Sequence, residues 1–463
     1  MPDRLSALDA SFLYLEQPTT PMHIGGLAVF RRPRQGLDFD QLVELIEHRL
    51  ALVPRYRQKI KQVPGRLARP VWMDDADFDI SYHVRRSALP KPGSEQQLND
   101  LVARLVARPL DRSRPLWEMY VVEGLARSRI AIITKTHFAM IGGISALDIA
   151  QVLLDVTPAP RETPEELWLP RPEPGTVSLL LDAVTEVGRR PAELVENVRA
   201  AAMDAAATTR KLASAFGGMF DAMRTAVWAA PGSPLNVPIS THRRFAVARA
   251  SLDDFKLVRR AHGGTINDVV LAVVSGALRN WLLSRGEAVT ASTTIRALTP
   301  VSVRGPGTGD QPSDGVSAFL VDLPVGEPNP VVRLQHVSHA MRSHADSGQS
   351  VAASTLIRFG GFAPPTLHAL GARVANGFAQ RIYNLVVTNV PGPQFPLYAS
   401  GARMLEIFPV IPLAKNQGLS IGVNSYDGGV YVGLNADRDA VADVDVLAGL
   451  LAESLEELVG TVP

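Results

Sequence analysis

The chain has 463 residues, of which 46% are hydrophobic and 20% charged. This length exceeds what a single hydrophobic core normally serves, so we expect two domains. The 47 basic and 46 acidic side chains nearly cancel, to a formal net charge of +1, and they are interspersed along the chain. That pattern argues against nucleic acid as a partner. Cysteine is absent, which excludes disulfides, a thiol nucleophile and thiolate metal sites.

The first residues do not resemble a secretion signal. Asp3 and Asp9 stand where a signal peptide needs a basic start followed by an apolar core, so we expect none. No window of the sequence offers the roughly 20 uninterrupted apolar residues of a bilayer-spanning helix. Any contact with lipid is therefore expected to be peripheral.

The first third of the chain mixes helix and strand patterns. Apolar residues recur at three- and four-residue spacing over Phe39–Leu52, which predicts an amphipathic helix. Trp117–Gly124 and Arg129–Phe138 are typical of strands, and the second is apolar enough to be buried. Ser145–Asp155 has helical periodicity. The residues between this last strand and helix therefore form the turn of a strand-turn-helix.

A proline- and glutamate-rich stretch, Pro158–Pro174, can continue neither a helix nor a strand, and it indicates a boundary. The alanine-rich residues Ser178–Ala230 follow it and favour helix. Two helices that join two domains would explain this segment. A helix that binds a membrane surface or a partner is the alternative.

The second half repeats the mixture of helices and strands. Thr265–Trp281 predicts a long helix with Thr265 as its N-cap. The other predicted elements are two strands, a hairpin around Asp427-Gly428-Gly429 and a closing helix: Thr294–Val303, Val316–Val325, Leu419–Val432 and Val441–Val459.

The turn after the apolar strand carries the most informative motif, His137-Phe-Ala-Met-Ile-Gly-Gly143. It resembles the His-His-x-x-x-Asp-Gly motif of the bacterial wax ester synthase/diacylglycerol acyltransferase family and, more distantly, that of the chloramphenicol acetyltransferase-like superfamily. With Gly143 aligned on the family's glycine, His137 matches the first histidine. Phe138 then occupies the position of the second histidine, the family's general base, and Gly142 that of the aspartate that orders the site.

Further short segments resemble the same family and follow in the same order over nearly the whole chain. They lie at the amino terminus, before the motif strand, at the start of the long helix, and in a turn and a hairpin near the end: Leu5–Leu13 with Met22–Gly25, Pro115–Trp117, Asn267–Ala272, Thr388–Pro393 and Ser425–Gly428.

The resemblance implies an α/β fold with two chloramphenicol acetyltransferase-like halves joined by a helical crossover. The expected division is 1–170 for the half with the motif, 171–234 for the helical linker and 235–463 for the second half. A tunnel would run between the halves. The implied reaction is acyl transfer from fatty acyl-CoA, as co-substrate, to diacylglycerol or a long-chain alcohol, which gives triacylglycerol or wax ester without a metal or other cofactor. The implied location is cytoplasmic, either as a soluble protein or bound peripherally to a membrane or to lipid droplets.

Phe138 has no ionisable group, whereas a positioned general base typically contributes about 10²–10⁴-fold to the rate. His137 is the candidate substitute base. Neighbouring strand residues point to opposite faces, so His137 should face away from the tunnel if Phe138 faces it. A bulge at the strand end could turn His137 inward. The alternative is a structural histidine buried between sheet and helix.

The other candidate site residues are polar groups or glycines near the expected tunnel. Gly142 replaces a carboxylate, and with Gly143 it permits a looser turn with positive φ. Asn267 and Asp268 either stabilise the start of their helix or, by resemblance, line the tunnel. Asn389 either contacts substrate or belongs to a structural turn.

Two functions follow. The first is an acyl-CoA-dependent O-acyltransferase of low activity, or one that depends on His137. The second is a catalytically inactive paralogue that binds acyl-CoA or neutral lipid, or that partners an active homologue. The direction of the His137 imidazole discriminates between them.

Overall fold

The computed structural model describes residues 3–33, 36–64, 68–141, 153–162, 168–173, 175, 178–179, 230–304, 314–347 and 382–463. Gly142 and Gly143 lie outside these residues. So do the predicted helix Ser145–Asp155, apart from its last three residues, and nearly all of Ser178–Ala230.

The amino-terminal part of the chain builds a six-stranded sheet and a three-stranded sheet. The six-stranded sheet has the order β12-β13-β2-β7-β6-β5, with strands Tyr398–Ala399, Ala402–Val410, His23–Arg31, Arg129–His137, Trp117–Leu125 and Val84–Ala88. The small sheet has the order β1-β4-β3, with strands Asp3–Arg4, Val71–Asp74 and Gln58–Lys61.

Helices cover both faces of the larger sheet. The helices in this part are α1 Ala7–Leu15, α2 Phe39–Arg49, α3 Ile80–His83, α4 Glu95–Val106 and α5 Phe138–Ile141. Residues of α1 and α2 share a core with Phe30 and Ile132 on one face. Helix α4 shares a core with Val29 and Ile133 on the other. The predicted helix at residues 39–52 and the two predicted strands are confirmed, and the helix ends in a short 3₁₀ turn.

The carboxy-terminal part builds the second six-stranded sheet. Its order is β10-β9-β11-β14-β15-β8, with strands Asp314–Leu323, Ile295–Arg304, Leu385–Pro391, Leu419–Tyr426, Gly429–Asp437 and Arg243–Ser251. The helices are α6 Leu252–His262, α7 Ile266–Ser284, α8 Pro330–Ser347 and α9 Val444–Val459. Their apolar residues form one large core with the sheet. The predicted hairpin and closing helix are confirmed.

Helix α7 is the centre of that core. Within the described residues, it is the helix that is long and apolar enough to cross a membrane by length and composition alone, and 72% of its most apolar window is buried inside the protein. Thr265 caps the helix, as predicted, because its side chain accepts from the Asp268 amide while the Asp268 carboxylate accepts from the Thr265 amide.

We expect Thr265→Ala to lower the free energy of unfolding by about 1 kcal/mol, since one amide at the helix start loses its partner. Urea unfolding at neutral pH measures the change. Thr265→Ser keeps the hydroxyl and should stay within a few tenths of a kcal/mol of the parent. An equal loss in both variants would contradict a capping role.

Strand β13 connects the two parts of the molecule. It lies by sequence in the predicted second half, yet it pairs with β2, for example Val410 with Gly25. It also contacts the second sheet, where Pro409 packs on the paired glycines Gly422 and Gly433. A Cβ at Gly433 would stand 2.0 Å from the Pro409 carbonyl oxygen. Glycine at these positions therefore allows the close approach of β13 to the second sheet.

Candidate active site

The end of β7 holds the motif residues. The amide of Phe138 donates to the Met22 carbonyl at 2.9 Å, and His137 is the cross-strand partner of His23. Since residues 138 and 22 share a ladder hydrogen bond, the neighbouring pair of His137 and His23 is a non-hydrogen-bonded pair. Side chains in such pairs lie on one face and approach each other closely.

The Phe138 side chain packs on helix α1. Its ring stacks on Phe12, with ring centroids 5.1 Å apart and an interplanar angle of 29°. The side chain is half-buried. An aromatic ring in a stacked pair contributes packing and no proton transfer. The side chain that the motif comparison aligns with the family's general base therefore makes an apolar contact.

His137 is 1% exposed, and its ring nitrogens have defined roles. Nδ1 accepts a hydrogen bond from the Ala139 amide at 3.0 Å, which assigns the ring proton to Nε2. Nε2 lies 3.7 Å from Glu16 Oε1 and has no hydrogen-bond partner among the described residues. Burial lowers the pKa of His137 to about 4, although the Glu16 charge opposes the shift. His137 is thus neutral at neutral pH, and in this arrangement neither nitrogen offers a lone pair to a substrate hydroxyl. Its role as a base stays a prediction.

A buried carboxylate joins the end of α1 to this strand. Glu16 Oε1 accepts from the Met22 amide at 3.1 Å, and Glu16 Oε2 accepts from Arg112 Nε at 2.9 Å. Arg112 also donates to the Leu13 carbonyl at 2.8 Å. Because Met22 in turn accepts from the Phe138 amide, this ion pair supports the strand end that carries both motif residues.

Lys135 lies two residues before His137 and on the same face of the sheet. Its Nζ donates to the Arg108 carbonyl at 2.9 Å and to Glu118 Oε2 at 3.2 Å. Burial lowers the pKa of Lys135, and the Glu118 charge opposes that shift. Sequence reasoning missed Lys135, Glu16 and Arg112. A lysine inside an otherwise apolar strand was the one available signal.

The candidate residues of the second half lie where α7 begins and β11 ends. Asn389 Nδ2 donates to Asn267 Oδ1 at 3.2 Å, so the structure brings these two amides together. Asp268 serves the helix start and accepts from the Ser338 hydroxyl at 3.0 Å. Its carboxylate is occupied within the protein. Gly142 and Gly143 lie outside the described residues, and the tunnel stays a prediction.

We expect the protein to lose stability as the pH falls from 6.5 towards 4. His137 stays neutral in the folded state down to about pH 4, whereas an unfolded chain takes up a proton near 6.5. Acid therefore favours the unfolded state by up to roughly 3 kcal/mol from this residue. His23 and His83 shift in the same direction, mainly through burial. Urea unfolding at pH 7, 5.5 and 4.5 measures the loss.

The control is His137→Asn, whose side-chain oxygen can still accept from the Ala139 amide but does not titrate. It should lose less stability than the parent between pH 6.5 and 4.5. Identical pH profiles for both proteins would show that His137 takes up its proton equally in the folded state.

Two family models match most of the chain. Residues 5–270 match the wax ester synthase/diacylglycerol acyltransferase catalytic domain, and residues 314–459 match the WS/DGAT C-terminal domain. The probable diacylglycerol O-acyltransferase tgs3 of Mycobacterium tuberculosis is 53% identical over 260 residues, which cover 56% of this chain and 96% of that one. The probable diacylglycerol O-acyltransferase tgs1 of the same species is 35% identical over 459 residues, covering 99% and 95%.

Solved structures agree with this match. The wax ester synthase/diacylglycerol acyltransferase from Marinobacter aquaeolei VT8 superposes with a TM-score of 0.69 at 27% identity, over 98% of each chain. A starter condensation domain of rhizomide synthetase superposes with a TM-score of 0.56 at 13% identity, over 100% of this chain and 96% of that one, which shows a shared fold. These matches confirm the expected α/β fold and the acyltransferase assignment: the chain belongs to the wax ester synthase/diacylglycerol acyltransferase family.

Proposed function

We propose that the protein transfers a fatty acyl group from acyl-CoA to the hydroxyl of diacylglycerol or of a long-chain alcohol, with low turnover. The family and the similarity to probable diacylglycerol O-acyltransferases support acyl-CoA and an acceptor alcohol as substrates. The observation that carries the low turnover is the stacked Phe138 at the position of the family's general base.

Without a base at position 138, the remaining contribution of the site is orientation of the two substrates. The lost base corresponds to about 10²–10⁴-fold in rate, or roughly 3–5.5 kcal/mol of barrier. Holding a hydroxyl against a thioester carbonyl still removes much of the entropic cost of a bimolecular reaction. We therefore expect measurable transfer at a rate well below that of relatives with the intact motif.

We also propose that the protein works in the cytoplasm at the surface of a membrane or a lipid droplet. Diacylglycerol and long-chain alcohols are insoluble in water and are met at such surfaces. Exposed apolar side chains that could support this contact include Val390 and Phe395, which are 57% and 50% exposed next to the end of β11.

A catalytically inactive paralogue is the second candidate. It would bind acyl-CoA or neutral lipid, or act as the partner of an active homologue. Two observations favour it: the Phe138 ring packs on Phe12, and His137 Nδ1 is engaged by the Ala139 amide. In both cases the side chain at the candidate site is engaged by other groups of the protein.

Acyl transfer from labelled palmitoyl-CoA to dioleoylglycerol and to hexadecanol tests the proposal. We expect slow formation of triacylglycerol or wax ester above a protein-free blank. No product at any enzyme concentration would overturn it, and saturable binding of palmitoyl-CoA by the same preparation would then support the second candidate.

Two variants in the same assay test His137 as the base. His137→Ala removes both ring nitrogens, whereas His137→Asn keeps an acceptor for the Ala139 amide. A base role predicts loss of transfer in both. A purely structural role predicts loss in the alanine variant and retention in the asparagine variant.

A further inference from the structure

Two buried histidines face each other across strands β2 and β7. His23 and His137 are register partners, 3% and 1% exposed. They form a non-hydrogen-bonded pair, as shown above, so their Cβ atoms are expected about 4.5–5.5 Å apart on one face of the sheet. A proton on His137 would lower the pKa of His23.

The free nitrogens of this pair are complementary. The Val106 carbonyl favours the protonated form of the His23 ring, as an acceptor beside the ring does. Among the described residues the buried His23 Nδ1 has no hydrogen-bond partner. We assign the ring proton to Nε2, which leaves the lone pair on Nδ1. In His137 the roles of the two nitrogens are exchanged. Its Nδ1 accepts from the Ala139 amide, and its Nε2–H has no hydrogen-bond partner among the described residues. One histidine thus presents an unused acceptor and the other an unused donor.

Leaving both groups unpaired in a buried site costs free energy, since each has lost its hydrogen bonds to water. A hydroxyl group satisfies both at once, because its oxygen accepts from a ring N–H while its proton is donated to a ring nitrogen. Water and an alcohol share this chemistry. Because the acceptor substrates of the family are alcohols, an alcohol hydroxyl at this pair would lie where the reaction needs it.

We propose that His23 and His137 together bind the hydroxyl of the acceptor alcohol, and that His23 acts as the base in place of residue 138. This rests on the proposed function. His137 Nε2–H donates to the alcohol oxygen, and the alcohol donates to His23 Nδ1. The lone pair that His137 lacks is thus supplied by its cross-strand partner.

The transfer step balances within these groups. The alcohol oxygen forms a bond to the thioester carbonyl carbon while its proton passes to His23 Nδ1. The carbon–sulfur bond then breaks, and the thiolate of CoA takes the proton back from His23. The products are the ester and free CoA, and His23 returns to its neutral form.

The charges around His23 explain why such a base would be slow. Burial lowers the pKa of His23, and Lys135, His137 and Arg243 lower it further. The guanidinium of Arg243 donates hydrogen bonds to the Asp437 carboxylate, at 3.4 Å, and to the Thr19 carbonyl. These hydrogen bonds fix its position. His23 therefore stays neutral and keeps its lone pair, but the charges of Lys135 and Arg243 oppose the imidazolium that forms during transfer.

Two isosteric variants separate binding from proton transfer. His23→Asn places an oxygen near the position of Nδ1, which can accept from the alcohol but not take its proton. His23→Gln places an amide near Nε2, which can reach the Val106 carbonyl but offers nothing to the alcohol. We expect at least a roughly tenfold loss of kcat in both. The KM for hexadecanol should rise only in the glutamine variant, and the KM for palmitoyl-CoA should change in neither.

His48→Gln, on the exposed side of α2, is the matched control and should leave kcat unchanged. Native kcat in both His23 variants would overturn the proposal. A chain that transfers no acyl group at all would instead contradict the proposed function, so the hydroxyl site needs a readout of its own.

That readout is the ¹⁵N spectrum of the full chain labelled at histidine, with His23→Gln and His137→Asn used to assign the two rings. Dodecanol in detergent micelles should shift the His23 Nδ1 resonance, and dodecane in the same micelles should not. No shift, or an equal shift with dodecane, would mean that only water occupies the pair and would overturn the proposal.

Discussion

Replacing Phe138 with histidine and Gly142 with aspartate together is expected to raise kcat for acyl transfer at least about 100-fold. The histidine would supply a base at the end of β7, at the family's own position, and the aspartate would order the turn. The cost is the stacked contact with Phe12, 5.1 Å between ring centroids, which affects packing rather than chemistry. Initial rates with saturating palmitoyl-CoA and dioleoylglycerol measure the gain.

The single variants are the controls for this experiment. Phe138→Ala removes the aromatic ring without adding a base, so any gain there would reflect access to the site. Phe138→His alone should give part of the gain of the double variant. A double variant that unfolds at the same urea concentration as the parent and shows no gain would contradict the assignment of residue 138 as the base position.

Asp155→Asn is expected to lower the free energy of unfolding by about 3–5 kcal/mol, because it leaves the guanidinium of Arg49 buried without its counter-charge. Both Asp155 carboxylate oxygens lie 2.9 Å from Arg49 Nη2, and the two side chains are 4% and 0% exposed. Asp155 also exchanges two backbone hydrogen bonds with Tyr398, each 2.8 Å long. Urea unfolding of the full chain at pH 7 measures the effect.

Two further variants make this prediction specific to burial. The carboxylate of Asp322 pairs with Arg296 and is 46% exposed. Asp322→Asn breaks this pair and should lower the free energy of unfolding by less than about 1 kcal/mol. Replacing both buried partners, as Arg49→Met with Asp155→Leu, should cost far less than Asp155→Asn, because no unpaired charge remains. Equal losses in all three variants would show that the buried pair has no special role.

Much of the fold was predictable from local patterns. The strand predicted at 129–138 is observed at Arg129–His137, and the helix predicted to be capped by Thr265 begins at Ile266. Both could be predicted because apolar periodicity and an N-cap are properties of adjacent residues. The pairing of β13 with β2 was not predictable in this way. It joins residues 374 to 385 positions apart, from Met404 with Phe30 to Val410 with Gly25, and no local pattern specifies which distant strand an edge will meet.

The candidate site was likewise predictable only where local sequence determines it. The motif placed Phe138 and His137 at a strand end, and the structure finds them there. The hydrogen bond from the Ala139 amide to His137 Nδ1 could not be predicted from the sequence, because it depends on the geometry of one turn. The complementary nitrogen of His23 was hidden too, because it requires the register of β2 against β7.

The placement of β13 has a consequence for biosynthesis. During translation, β2 emerges within the first 31 residues, but the strand that covers its free edge spans residues 402–410. A nascent chain would therefore expose an unpaired strand edge while the residues between β2 and β13 are synthesised, and such edges invite pairing with other chains. Chaperone protection of that edge, or delayed closure of the first sheet, would be needed until residues 402–410 have been synthesised.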